Sequence, residues 1–169
     1  GDWRNAPENS LLAIQKSIEM GVDMVEIDVQ KTKDGHLVLM HDKTINRTSN
    51  GKGRIENYTL AQLKKFYLRD TKGRLAQEKI PTLEEALLLA KDKILVNLDK
   101  SYRYFEDCYA VIEKTHTSDQ VLMKGKKTRA ELESKHRKYV DKRLFMPVVR
   151  LSDPEAKETV LDYLEHRVP

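Results

Sequence analysis

Residues 25–42 read VEIDVQKTKDGHLVLMHD: one apolar run carries Glu26 and Asp28, and a second ends at His41 and Asp42. Side chains alternate across a strand, so Glu26 and Asp28 share one face while Val25, Ile27 and Val29 share the other. If the valine face meets helices, the acids look into the far side of a sheet or into a barrel interior. Two unpaired carboxylates there would repel each other and lose hydration on the order of several kcal/mol each. Something must offset that cost: a lysine or arginine, a metal ion, or water along an exposed edge strand.

Further along the chain, similar short runs alternate with segments of helical period. VDMVEIDV (22–29), HLVLMH (36–41), KILVNLD (93–99), QVLMK (120–124) and LFMPVVR (144–150) read as strands, the βαβα pattern of a parallel sheet. The helices between them have legible starts, because Thr59 with Gln62, Thr82 with Glu85, Thr128 with Glu131 and Ser152 with Glu155 have capping-box spacing. The first helix ends at Gly21, a residue suited to the left-handed position after a helix. Only residues 43–80 or so break the rhythm; they read as a rim excursion with a turn at SNGKG and a short helix LAQLKKF. A closed eight-stranded barrel takes about 250 residues. A chain of 169 residues is therefore either an open doubly wound sheet or most of a barrel. Both architectures gather chemistry at the C-terminal ends of the strands.

Composition narrows the partners. Thirty-one basic and 27 acidic residues give a net charge of +4, but the signs are interleaved, which argues against a nucleic-acid partner. No apolar run is long enough to span a bilayer, so stable membrane insertion is not expected. Cys108, the single cysteine, excludes a disulfide framework and reads as a small core residue. The basic run KGKKTR (124–129) reads as a solvated loop before a helix, with the exception of Lys124 at a strand end. The cellular location stays open, an extracytoplasmic one being favoured.

Asp99 follows Asn97 at the end of its strand and His41 ends another, so titratable groups fall at the ends of three apolar runs. Glu26, Asp28 and Asp99 together make an oxygen-rich set suited to a hard divalent cation, calcium or magnesium, rather than zinc. His41 is then placed to move a proton near neutral pH.

In their order, these residues resemble the glycerophosphodiester phosphodiesterases. PEN is Pro7–Asn9, EIDVQKTKDG is Glu26–Gly35, HD is His41 and Asp42, and RT is Arg47 and Thr48; NGKG and TLEEAL (82–87) also match. The resemblance implies a TIM-type (β/α)8 barrel. It implies hydrolysis of a small glycerophosphodiester to glycerol 3-phosphate and an alcohol, with Glu26, Asp28 and Asp99 on a divalent metal and His41 as one of two catalytic histidines. Gly1 matches the glycine of the family's His-Arg-Gly signature. The other histidine, the first strand and the last two βα units are therefore expected outside these residues, with residues 1–169 forming one partial barrel domain. Asp99 stands where the family usually has a glutamate. The family's lysine two places beyond that glutamate is Ser101 here, and Lys100 lies one place earlier, facing differently by strand alternation. Lys124 is expected to bind the substrate phosphate, and Arg150 is a lesser candidate of the same kind. Two other functions share these residues: cleavage of phospholipid headgroups on the same scaffold, and noncatalytic phosphate binding.

Overall fold

The structure, a computed structural model, describes residues 4–126, 129–140, 144–150, 152 and 154–165. In chain order the regular elements are α1 (Leu11–Glu19), β1 (Met24–Lys31), β2 (Leu37–Leu39), α2 (Leu60–Leu63), β3 (Tyr67–Arg69), β4 (Leu75–Lys79) and α3 (Leu83–Ala90). There follow β5 (Leu95–Asp99), α4 (Phe105–Thr115), β6 (Val121–Gly125), α5 (Arg129–Val140), β7 (Leu144–Pro147) and α6 (Ala156–Glu165).

Alternation sorts the strands as the sequence requires. Val25, Ile27 and Val29 of β1, Val96 and Leu98 of β5, and Val121 and Met123 of β6 form one buried cluster with α1, α3 and α4. The opposite face carries Glu26, Asp28, Asn97, Asp99 and Lys124. Strands β1, β5, β6 and β7 are parallel neighbours in that order, with Glu26 beside Asn97 and Asp28 beside Asp99. Successive parallel strands are adjacent, and α1, α3 and α4 pack in sequence on a single face. A doubly wound sheet reverses its strand order and takes helices on both faces. The observed winding is therefore that of a TIM-type barrel wall, whose inner face carries the polar set.

One expected strand runs the other way. HLVLMH supplies β2, which pairs antiparallel with β1, Val29 opposite Leu39 and Lys31 opposite Leu37. A parallel return needs a crossover of about a dozen residues or more. Only residues 32–36 separate the two strands, closed by a Thr32 N–H bond to the His36 carbonyl and by Gly35 at φ 87°. β1 extends beyond its parallel pairing with β5, and β2 folds back along that extension, with Met40 N–H donating to the Asp28 carbonyl. His41 thus reaches the strand ends through a hairpin. The next parallel neighbour of β1 is β5.

The excursion over residues 43–80 has a core of its own, with Val38, Met40, Ile45, Ile55, Leu63, Leu68 and Ile80 buried together. It contains a hairpin, β3 with β4, that the turn-rich sequence did not reveal. Gly51 packs so closely against this core that an added Cβ would fall 2.5 Å from the Ile45 Cδ1. Thr59 with Gln62 and Thr82 with Glu85 form reciprocal capping boxes, and Gly21 follows α1 at φ 68°. Ser152 does not start a helix as its spacing suggests, because α6 begins at Ala156 and its first turn closes from Thr159 N–H to the Glu155 carbonyl. Thr128 lies outside the described residues. Cys108 is buried in α4, and burial pushes its thiol well above the usual range, which suits a packing role.

Candidate active site

The polar face of the sheet solves its electrostatic problem with lysines. Lys124 Nζ, at the end of β6, lies 3.2 Å from Glu26 Oε1 and 3.2 Å from Asp99 Oδ2. Partial burial pushes this ammonium down, but its bonds to Asp99 and Glu26 outweigh burial and hold it above the ordinary lysine value. Asp28 is more enclosed, its side chain 9% exposed, and takes Lys100 Nζ at 3.0 Å on one oxygen. On the other oxygen it accepts from Asn9 Nδ2 at 3.1 Å, while its own N–H donates to Asn9 Oδ1 at 2.9 Å.

Lys100 corrects the alternation argument. Its backbone is left-handed, φ 62°, so the chain turns at the strand end and the ammonium swings back to Asp28 and to the His41 carbonyl. Ser101 is buried beneath it and bonds the Lys124 carbonyl at 3.4 Å. Alternation cannot be carried through a left-handed residue.

His41 is half exposed, and its Nδ1 lies 2.8 Å from Asp42 Oδ1. In the neutral ring this bond puts the proton on Nδ1 and leaves Nε2 free to accept one. Asp42 is itself fixed by Arg47, whose Nε and Nη2 donate to its two oxygens at 2.8 and 3.2 Å. The same guanidinium grips both oxygens of Glu8 at 2.7 Å. Three short motifs, PEN, HD and RT, are therefore one ionic structure: Glu8 holds Arg47, Arg47 holds Asp42, and Asp42 orients His41. Asn9 of PEN ties the same loop to Asp28. The carbonyl of His41 also accepts from Gln30 Nε2 at 3.3 Å.

The guanidinium of Arg47, then the His41 ring, hold the Asp42 carboxyl at about 2, outweighing its partial burial. A depressed carboxyl contributes stability that is complete above its ordinary pKa of 3.8 and is lost as pH falls toward about 2. Denaturant titrations of the protein and of Asp42→Asn should differ by a constant amount above roughly pH 5 and converge as pH approaches 2. A gap that stays the same width down to pH 2 would refute this contribution.

These groups meet at a cleft of about 690 Å³, lined by His41, Gln30, Asp99, Lys100 and Lys124, with Tyr102 against Gly125 on one wall. A side chain at Gly125 would collide with the Tyr102 ring, 1.9 Å away. Arg150 is exposed and does not line the cleft.

The structure brings Glu26 and Asp99 onto one cationic point and turns Asp28 toward Asn9 and Lys100. Among the described residues, no three histidine, cysteine or acidic side chains are grouped closely enough to hold an ion as they stand. In donor type and charge the set nevertheless fits a hard cation. Glu26 and Asp99 already converge on a positive centre, and Asp28 stands beside Asp99 on the neighbouring strand.

The chain resembles the glycerophosphodiester phosphodiesterase of Caldanaerobacter subterraneus subsp. tengcongensis, 46% identical over 101 residues that make up 59% of this chain and 42% of that protein. A glycerophosphoryl diester phosphodiesterase structure from Parabacteroides distasonis superposes with a TM-score of 0.82 at 31% identity, covering 98% of this chain and 56% of that one. An Oleispira antarctica phosphodiesterase, solved in complex with the product sn-glycerol-3-phosphate, superposes at 0.71 with 25% identity, covering 95% of this chain and 67% of its own. The chain thus spans about half the length of the first two relatives. Residues 1–159 match the model of the glycerophosphoryl diester phosphodiesterase family, and the chain belongs to that family.

Proposed function

We propose that the intact protein hydrolyses glycerophosphodiesters to glycerol 3-phosphate and an alcohol, with a carboxylate-bound divalent cation, calcium or magnesium, and with His41 moving a proton. The observation that carries this is the meeting of the His41 imidazole, Lys100, Lys124 and Asp99 at one cleft, with Glu26 and Asp28 paired to those two lysines. The bound product of the Oleispira antarctica relative supports the same substrate class here.

Each residue then has a task. Glu26 and Asp99, with Asp28 beside them, would hold the cation, which when bound supplies Lewis acidity toward a phosphoryl oxygen. Lys100 and Lys124 bring positive charge to the non-bridging oxygens, where charge builds as phosphorus is attacked. His41 Nε2 takes a proton from the attacking hydroxyl or gives one to the departing alkoxide, and Asp42 stabilises the imidazolium in between. Attack by water gives glycerol 3-phosphate directly; attack by the neighbouring glycerol hydroxyl expels the alcohol and gives a cyclic phosphate, which a water then opens to the same product.

The test is phosphorus NMR of the intact protein with a glycerophosphodiester. Glycerol 3-phosphate should accumulate, stop accumulating under excess chelator and resume when magnesium or calcium is returned. Undiminished turnover after verified removal of metal would eliminate the carboxylate-bound cation. Tight binding of the diester without any product would instead favour a noncatalytic phosphate binder.

A further inference from the structure

The charges at the cleft fall into two layers. In the inner layer, Glu26, Asp28 and Asp99 are matched by Lys100 and Lys124 within 3.2 Å. Outside it, Lys43, Arg103 and Lys126 line the same cleft, each from a different segment: two residues after His41, four after Asp99 and two after Lys124. All three are exposed, and none has an ion pair within 4 Å among the described residues. Glu56 acts on Lys43 and Arg103 only through space, and its own hydrogen-bonded partner is Arg54 at 2.6 Å. Among the described residues, Asp99, already held by Lys124, is the one carboxylate lining the cleft.

A phosphodiester carries a single negative charge, which Lys100 and Lys124 already face. The outer cations are left for whatever lies beyond phosphorus. We propose that the cleft selects diesters whose alcohol moiety bears a further anionic group, such as a phosphate monoester, and disfavours quaternary or primary ammonium alcohols. This inference rests on the proposed phosphodiesterase reading. A cleft lined by one sign of charge focuses its field along the approach of the ligand, so the preference appears in kcat/KM and weakens with salt.

Two substrates that differ by one phosphate monoester test for that group: glycerophosphoinositol 4-phosphate and glycerophosphoinositol, with glycerophosphocholine as the cationic comparison. The intact protein should prefer the phosphorylated diester by about tenfold or more in kcat/KM at low ionic strength, with glycerophosphocholine last. The double variant Arg103→Ala with Lys126→Ala should bring the ratio of the two inositol substrates down at least fivefold, toward about one. Because the readout is a ratio on one preparation, lost folding cannot imitate it. Equal kcat/KM values, or a preference for the choline diester, overturn the proposal. Calorimetry with inositol 4-phosphate and with inositol supplies an arm that needs no turnover. Should no diester be hydrolysed, the function proposed above fails, and this inference still stands or falls on whether inositol 4-phosphate alone binds through Arg103 and Lys126.

Discussion

His41→Ala should lower kcat by about a thousandfold while changing KM little, because a proton-transferring group contributes mainly in the transition state. The side chain is 58% exposed and packs in no core, so the variant should unfold within about 0.5 kcal/mol of the parent. Substrate choice separates the two proton roles. A nitrophenyl leaving group departs without needing a proton. If His41 is the general acid, the loss will be far smaller on a nitrophenyl diester than on an alkyl one; if it is the base, both will suffer alike. The same ring should depend on its neighbours: Arg47→Lys, which cannot fork to Glu8 and Asp42 together, should lower kcat more than it raises KM. A His41→Ala protein with parental kcat on an alkyl diester would remove the histidine from the mechanism.

What the sequence disclosed and what it concealed follow from the range of the forces involved. The facing of Glu26 and Asp28 was legible because the two-residue period belongs to the strand backbone itself. The caps at Thr59 and Thr82 were legible because both partners lie within one helical turn. β2 ran against expectation although the signal was present, the segment 32–36 being too short for a parallel crossover. The β3–β4 hairpin lacks a signal: β3 is three residues long with Leu68 alone buried, and β4 has no buried residue. Strand alternation does not reach Lys100, because the rule stops at the first left-handed residue. Asn9 and Glu8 carry no local sign of their roles, because their partners Asp28 and Arg47 lie 19 and 39 residues away. Local patterns thus located the carboxylates and the histidine. The residues that hold them in place act over distances in sequence that no periodicity reports.

Lys124→Met should move two measurements in opposite directions. The substitution keeps an unbranched side chain one atom shorter and removes the charge, which lies 3.2 Å from both Glu26 and Asp99. One consequence falls on the substrate: a preorganised cation facing the phosphoryl oxygens is gone, and kcat/KM should drop by roughly a hundredfold. The other falls on the carboxylates, which lose the ammonium they share. At 4 Å and an effective dielectric of 20 a unit charge interacts by about 4 kcal/mol. Glu26 is 52% exposed, so solvent reduces this severely, to about 1 to 2 kcal/mol, enough for roughly tenfold tighter binding of a divalent ion. Calorimetry with magnesium or calcium should therefore give a lower Kd in the variant, even as its catalysis fails. Lys124→Arg, which keeps the charge in a wider head, should restore the parental Kd but only part of kcat/KM. Unchanged turnover in Lys124→Met would detach this lysine from the substrate, and weaker metal binding would mean that its ammonium does not share the carboxylates with the ion.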